Sequence, residues 1–394
     1  MQHWLKKLCF TASVLFSSLA FAQQPNPVLA DHFSRLKPIK KVALLVQNQD
    51  EDWALRADKS LVPASTLKIV LASLAIKRWG LGHRFTTEFY REGNVLWVKG
   101  LGDPFLTSEE IELIKIQLGA RTDLTTVTEI RLDNSFFPEL RLDGRNKSDN
   151  PYDAGNAALA INFNTAAVRY RKGKLLPGEA QTPLTPLAVD LADDIPTDKQ
   201  NGERRIALPG GRDMSARYFG EVFSALMFNR QLPLQIMPVS ASAKAVYTHR
   251  SSRTLEDLLL AMLKYSNNFI ANQLFLLLPG REVSISASQK YVMAQLEAEY
   301  GWQDFNVSDG AGLSRQNRLS ARQLMAVLES FRPWAYLLPA RGERIQAKTG
   351  TFWDNHSYAG YYLDEQQEWQ AFVLLINTTM KAGYRFRFAD ALIR

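Results

Sequence analysis

The first clear hydrophobic pattern lies in residues 41–46, Lys41-Val42-Ala43-Leu44-Leu45-Val46, a β-rich run after a turn-prone lead. Residues 53–57 form a partner strand, with Asn48-Gln49-Asp50 between the two. Residues 65–79 then carry apolar side chains at Leu67, Val70, Leu71, Leu74 and Ala75, the spacing of an amphipathic helix. Pro63 precedes this helix, and Gly80 and Gly82 end it. Near the other terminus, residues 344–349, 357–363 and 368–376 read as successive strands and 386–394 as a closing helix. Strands at both ends predict one antiparallel sheet built from the two termini, with helices packed on it.

The middle of the chain follows a different pattern. Residues 85–98 read as short strands around a turn at Glu92-Gly93-Asn94, 109–118 as a short helix and 127–132 as another strand. Residues 142–202 are rich in Gly, Pro, Asn and Asp. The expected class is therefore α+β. Its main domain, 23–82 and 205–394, holds the antiparallel sheet flanked by helices, and 83–204 form an inserted mixed α/β domain. Residues 215–228 have the spacing of a core helix, and 254–278 form a longer amphipathic run.

Composition narrows the setting. A 394-residue chain with 46% hydrophobic and 22% charged residues is globular rather than disordered. Lys6 and Lys7, an apolar run over 8–21 and the small-x-small triplet Ala20-Phe21-Ala22 predict a signal peptide over 1–22. The run is short for a membrane span and Ser17-Ser18 interrupts it, so no integral membrane anchor is expected after cleavage. The single cysteine, Cys9, lies in this segment, so the mature chain would hold neither disulfide nor thiol nucleophile. Leu8-Cys9 lacks the small residues of a lipoprotein site. Export of this kind points to the periplasm of a bacterium. The formal charge of +7 falls to +5 when Lys6 and Lys7 are removed; that mild excess suits an anionic cell wall and an ordinary solvated surface equally.

Several classes lack support. No aromatic-basic RNA motif or zinc-finger spacing is present, so nucleic acid is not an expected partner. His32, His83, His249 and His356 are scattered and form no His-Glu-x-x-His pattern, which argues against a zinc peptidase. No metal or cofactor is expected.

The chemistry lies in three motifs in chain order: Ser65-Thr66-Leu67-Lys68, Ser266-Asn267-Asn268 and Lys348-Thr349-Gly350. Together they supply a nucleophile, an amine beside it, a relaying hydroxyl, an amide and a second cation. This set is shared by serine β-lactamases and penicillin-binding proteins. Ser65 and Lys68 open a predicted helix, where positions i and i+3 are neighbours. Ser65 is the expected nucleophile and Lys68 its base. A lysine with an ordinary pKa of about 10.4 must be desolvated or set beside another cation to act at neutral pH, and Lys348 is a candidate for that neighbour. Ser266 is the expected relay to the leaving amine, and Asn268 the holder of Lys68 and the substrate amide. Lys348 and Thr349 are expected to bind a substrate carboxylate. The N–H groups of Ser65 and Thr351 are candidates for an oxyanion hole. Residues 348–350 lie on a predicted edge strand able to meet an extended peptide, with Gly350 admitting the substrate backbone.

Two decoys test these assignments. Ser34-Arg35-Leu36-Lys37 matches the first motif, but Pro38 disfavours helical geometry at Lys37. Ser148-Asp149-Asn150 is a literal Ser-Asp-Asn in a polar stretch before Pro151, whereas Ser266 follows an apolar helix able to press it into a cleft. The context favours Ser266 and Asn268.

With these motifs the chain resembles the D-alanyl-D-alanine carboxypeptidases/endopeptidases of the penicillin-binding protein 4 type, over nearly the whole mature length. Pro63 to Lys68, Met262 to Asn268 and Lys348-Thr349-Gly350-Thr351 are similar to that family's motifs. Gly102-Asp103-Pro104, Leu132-Asp133-Asn134-Ser135-Phe136, Asn162-Phe163-Asn164 and Asp309-Gly310-Ala311-Gly312-Leu313-Ser314-Arg315 resemble its landmarks. The resemblance implies a β-lactamase/transpeptidase-like domain, peptidoglycan stem peptides as substrates and β-lactam antibiotics as inhibitors. Asn267 stands where many relatives have Asp, Ala311 replaces a usual Ser, and the insert is short. Residues 309–315 are taken as family evidence rather than as catalytic. Trp97, Trp302 and Trp353 are expected in the core rather than on a sugar.

Two rivals stay open on sequence. A class A β-lactamase deacylates with a glutamate from Glu-x-x-Leu-Asn; here Glu129-Ile130-Arg131-Leu132-Asp133 and Glu139-Leu140-Arg141-Leu142-Asp143 are near misses. A non-catalytic penicillin-binding sensor or wall-binding protein is the other, against which the intact serines, lysines and asparagine argue.

Overall fold

Both chain ends meet in one six-stranded sheet. A computed structural model describes residues 27–49, 52–146, 148–196, 198 and 200–394; the expected signal peptide lies outside the described residues. The strand order is Ala340–Arg341, Ile345–Phe352, Asn355–Leu363, Trp369–Ile376, Val42–Val46 and Trp53–Leu55, with every neighbouring pair antiparallel. Every residue of Val42–Val46 is buried, which explains why that run is continuously apolar rather than alternating. Ala43, Leu45, Val373 and Leu375 face a core shared with helices Leu67–Trp79, Leu255–Lys264, Asn268–Leu277 and Ala321–Phe331. Val42, Leu44, Val46, Phe372 and Leu374 face helices Pro27–Leu36 and Tyr384–Leu392.

The turn-prone lead, residues 37–41, is preceded by the helix Pro27–Leu36. Leu29, His32 and Leu36 lie buried along one face of it, and His32 Nδ1 is 3.1 Å from the Tyr384 hydroxyl. Packing of this face, with Phe33 against Trp53, holds a helix too short to be stable alone.

A second body has its own core. A five-stranded mixed sheet runs Tyr247–Arg250, Thr86–Glu92, Val95–Gly100, Glu129–Asp133, Leu234–Ile236, and a three-stranded one Lys174–Pro177, Thr165–Arg171, Gly202–Ala207. Sequence alone puts the end of the insert at 204. The core extends further, because Phe219, Val222 and Phe223 of helix Arg212–Phe228 pack with Phe89, Leu96 and Ile130. The strands around 234 and 247 close the same sheet. Helical spacing in 215–228 marks a buried face without saying which core receives it. The Gly- and Pro-rich stretch also hides helix Pro186–Asp193, which Thr185 caps through Ala188 N.

The long amphipathic run at 254–278 is two helices, Leu255–Lys264 and Asn268–Leu277. Ser266 takes a left-handed φ of 54°, and the Asn267 side chain caps the second helix by accepting from Ile270 N.

Candidate active site

Ser65 sits in a short 3₁₀ turn, Ala64–Thr66, that feeds helix Leu67–Trp79. Two close approaches fix that turn. A Cβ on Gly312 would lie 2.1 Å from the Ala64 carbonyl oxygen, and one on Gly350 would lie 2.7 Å from that of Pro63. The close backbone approach at Gly350 is therefore made by the chain itself, where sequence had assigned it to substrate. Thr66 Oγ1 donates to Pro63 O at 2.7 Å, and Ala64 holds a φ of +49°. A non-glycine residue there is uncommon, and such backbone gathers at sites held by their surroundings.

Lys68 is fully buried, at 0% exposure, a rare state for lysine. Its Nζ lies 3.1 Å from Ser65 Oγ, 2.9 Å from Asn268 Oδ1 and 2.5 Å from the Ala311 carbonyl oxygen. The last two partners only accept. In the neutral amine they take up the two N–H bonds, and the lone pair is left for the Ser65 proton. Burial holds the Lys68 pKa well below the ordinary lysine value, with the positive charge of Lys348 adding to the shift. Asp309 pulls the other way, yet its oxygens are engaged by Leu313 N, Ser314 N and the Asn317 amide.

Lys348 is 2% exposed and donates to Ser266 Oγ at 3.0 Å and to Thr349 O at 2.9 Å. Burial, then Arg385, lowers its pKa to about 8. The strand Ala340–Arg341 pairs only with Gln346 and Ile345, so the Lys348–Thr351 stretch lies beyond it on that edge. Thr349 is half-buried, Gly350 buried and Thr351 exposed. Ser65, Lys68, Ser266, Asn268 and Lys348 thus come together from three distant segments.

Other predicted elements sit elsewhere. Ser148 Oγ donates to Asp153 Oδ2 at 2.5 Å and Ser34 Oγ to Ala30 O at 3.0 Å, so neither decoy bonds to Lys68 or Ser65. Glu129 pairs with Arg131 at 2.7 Å, and Glu139 accepts from Arg212 N at 3.2 Å. Trp97 and Trp302 are buried, whereas Trp353 is 78% exposed and is not a core residue. His249 contacts Glu110 at 2.7 Å in the second body. No group of three or more His, Cys, Asp or Glu able to hold a metal ion occurs among the described residues.

Sequence reasoning missed four contributions. The Asp309–Arg315 stretch lines the site after all, through the Ala311 carbonyl. Asn272 Oδ1 accepts from Gly310 N and Ala311 N, each at 2.9 Å, and so aims that carbonyl. Tyr152 O accepts from Asn268 Nδ2 at 3.1 Å. Arg385, half-buried on the last helix, donates to Gly350 O at 2.9 Å and Thr351 Oγ1 at 2.8 Å. Main-chain groups leave no side-chain signature; only the paired glycines around Ala311 hinted at a tight approach.

The D-Ala-D-Ala carboxypeptidase 3 (S13) family model matches residues 29–202 and 216–336. The chain belongs to the D-Ala-D-Ala carboxypeptidase 3 (S13) family. A D-alanyl-D-alanine carboxypeptidase of Actinomadura sp. (strain R39) is 23% identical over 397 residues, covering 79% of this chain and 72% of the relative. The crystal structure of penicillin binding protein 4 from Haemophilus influenzae aligns with a TM-score of 0.73 and 20% identity, over 92% of this chain and 97% of that one. Its complex with a novel β-lactam aligns with a TM-score of 0.66 over the same shares. The expected α+β fold, a transpeptidase-like sheet with a mixed insert, is thus the fold of this family. No helix among the described residues is long and apolar enough to cross a membrane.

Proposed function

We propose that this S13-family hydrolase is an exported serine-type D-Ala-D-Ala carboxypeptidase that works through an acyl-enzyme on Ser65 and is inhibited by penicillin. One observation carries the reading: the buried Lys68 amine, with acceptors on two sides and Ser65 Oγ on the third. Lys68 takes the Ser65 proton as Oγ bonds to the carbonyl carbon of the penultimate D-alanine. The N–H groups of Ser65 and Thr351 receive the oxyanion. Ser266, held by Lys348, passes a proton to the leaving amine as the C–N bond breaks. Asn268 orients Lys68 and the substrate amide. Lys348, Thr349, Thr351 and the guanidinium of Arg385 gather around the terminal carboxylate, while Gly350 keeps the strand against the serine turn. Water then hydrolyses the ester.

No carboxylate bonds to Ser65 or Lys68 among the described residues, which favours a long-lived ester with a β-lactam over rapid turnover. The expected signal peptide over 1–22, with peptidoglycan as the proposed substrate, supports a periplasmic location. D-alanine release from a muramyl-type pentapeptide, abolished by Ser65→Ala along with fluorescent-penicillin labelling, is the expected result. Unchanged release by the variant, or none by the wild type, refutes the proposal.

A further inference from the structure

The two ends of the Asn268 amide face different partners, and which end faces Lys68 governs whether that amine can act as a base. Asn268 Oδ1 accepts from Lys68 Nζ at 2.9 Å, and Nδ2 donates to the Tyr152 carbonyl oxygen at 3.1 Å. A carbonyl only accepts, so it keeps the NH2 end on its own side and leaves the oxygen for Lys68. Turned over, the amide would aim an N–H at the amine and occupy the lone pair that the Ser65 proton needs.

The Tyr152 carbonyl comes from outside the helix that carries Asn268. It belongs to the short 3₁₀ turn Pro151–Asp153 in the Gly- and Pro-rich stretch. Pro151 and Tyr152 are exposed, and Asp153, at 2% exposure, is the buried residue of the turn. Its carboxylate accepts from Asn146 N at 3.0 Å on Oδ1 and from Ser148 Oγ at 2.5 Å on Oδ2. Arg145 Nε donates to the Asp153 carbonyl. Ser148 Oγ in turn accepts from Asn150 N at 3.2 Å and Asn150 Nδ2 at 3.1 Å, which fills both of its lone pairs. Asp149 O accepts from Ala207 N at 2.9 Å and so ties the turn to strand Gly202–Ala207 of the second body. Past the turn, Asn156 Nδ2 donates to Phe269 O at 3.0 Å and to Gln273 Oε1 at 2.8 Å, which keeps the segment against helix Asn268–Leu277.

We propose that Asp153 is a positioning residue for the serine centre: it holds the turn so that the Tyr152 carbonyl fixes the Asn268 amide with its oxygen toward Lys68. The proposal rests on the serine-peptidase reading, in which Lys68 is the base, and it makes the second body a working part of that centre. Ser148-Asp149-Asn150, the decoy for the second motif, then acts at one remove, as the framework of the turn that orients the true motif. A carboxylate suits position 153 because it accepts on both oxygens and meets both donors at once. An amide there would set an N–H against either the Asn146 N–H or the filled Ser148 hydroxyl.

The test is a double-mutant cycle on the full-length protein, read as the rate of acylation by a chromogenic β-lactam across pH. Asp153→Asn is expected to slow acylation about tenfold, the size of one lost hydrogen bond to a charged group. It is also expected to move the acid limb to lower pH, because protonated Lys68 loses an acceptor. In an Asn268→Ala background the same substitution is expected to change the rate by less than about twofold. Ser148→Ala removes one bond and keeps the carboxylate; it is expected to follow the same pattern to a smaller extent, and it decides the outcome if Asp153→Asn does not fold. Equal losses in both backgrounds, a slower rate with an unmoved acid limb, or an unchanged rate each overturn the proposal. With the wild type acylated at Ser65, those results leave the serine peptidase standing. A wild type that is never acylated there sinks both ideas.

Discussion

Gly350 and Pro63 touch where the third motif passes the nucleophile: a Cβ at 350 would sit 2.7 Å from the Pro63 carbonyl oxygen and 3.1 Å from Ala64 Cβ. The glycine of Lys348-Thr349-Gly350 is thus a packing requirement that sets the distance between the Lys348 strand and the Ser65 turn. Gly350→Ala is expected to cost about 1–3 kcal/mol of stability, as overpacked sites do, and to slow penicillin acylation together with it. Gly312→Ala is expected to cost more, because φ is +80° and the clash with Ala64 O is closer. Thermal melts and labelling rates on the same samples check this. An unchanged melt with a raised KM alone would return Gly350 to the role of substrate contact.

The Lys68 environment separates a base from a mere charge. Arginine keeps the charge and cannot give up its proton in a protein. Lys68→Arg is therefore expected to be no better than Lys68→Ala, each slowing acylation by about 10²–10⁴, the usual range for a general base. Stopped-flow binding of a chromogenic β-lactam gives the number. Substantial activity in the arginine variant would mean that Lys68 acts only by its field.

Asn272 touches neither Ser65 nor Lys68, yet it accepts from both Gly310 N and Ala311 N. Asn272→Ala leaves two buried donors without that partner, a cost of about 1–3 kcal/mol for each group left unsatisfied. The Ala311 carbonyl is then free to swing from Lys68. Slower acylation with a shifted acid limb of the pH profile is the expected outcome. A loss of stability with an unaltered profile would reduce Asn272 to a structural bond.

Much of this was legible in the chain, for reasons that differ by element. The sheet strands showed because fully buried strands such as Val42–Val46 need unbroken apolar runs. The motif residues showed because the contacts of the site are made largely by their side chains. Helix Arg212–Phe228 showed as a buried face, but helical spacing does not say which core receives it, and the strands near 234 and 247 that extend the same sheet are too short to stand out. The break at Ser266 was hidden because a single left-handed residue and an asparagine cap interrupt an otherwise continuous apolar pattern. Arg385 lies 35 residues beyond Gly350, in no motif, and only the packing of the last helix brings it to the strand.

Arg385 also bears on the pH dependence. In the proposed mechanism Lys68 is neutral when it accepts a proton, and Lys348 is charged when it holds a carboxylate. Activity is thus expected to rise with pH as Lys68 loses its proton and to fall as Lys348 loses its own, near 8. The two lysines act on each other, so the limbs belong to the pair. Burial is the larger cause of the Lys348 shift and Arg385 the second. Arg385→Gln removes that second repulsion, so the protonated form of Lys348 survives to higher pH. The alkaline limb of kcat/KM should move upward, while KM for a free-carboxylate pentapeptide rises from the loss of a cation beside Thr351. A pH series on wild type and variant decides it. A limb that stays put or moves downward would separate Lys348 from the alkaline fall and assign that fall to another group.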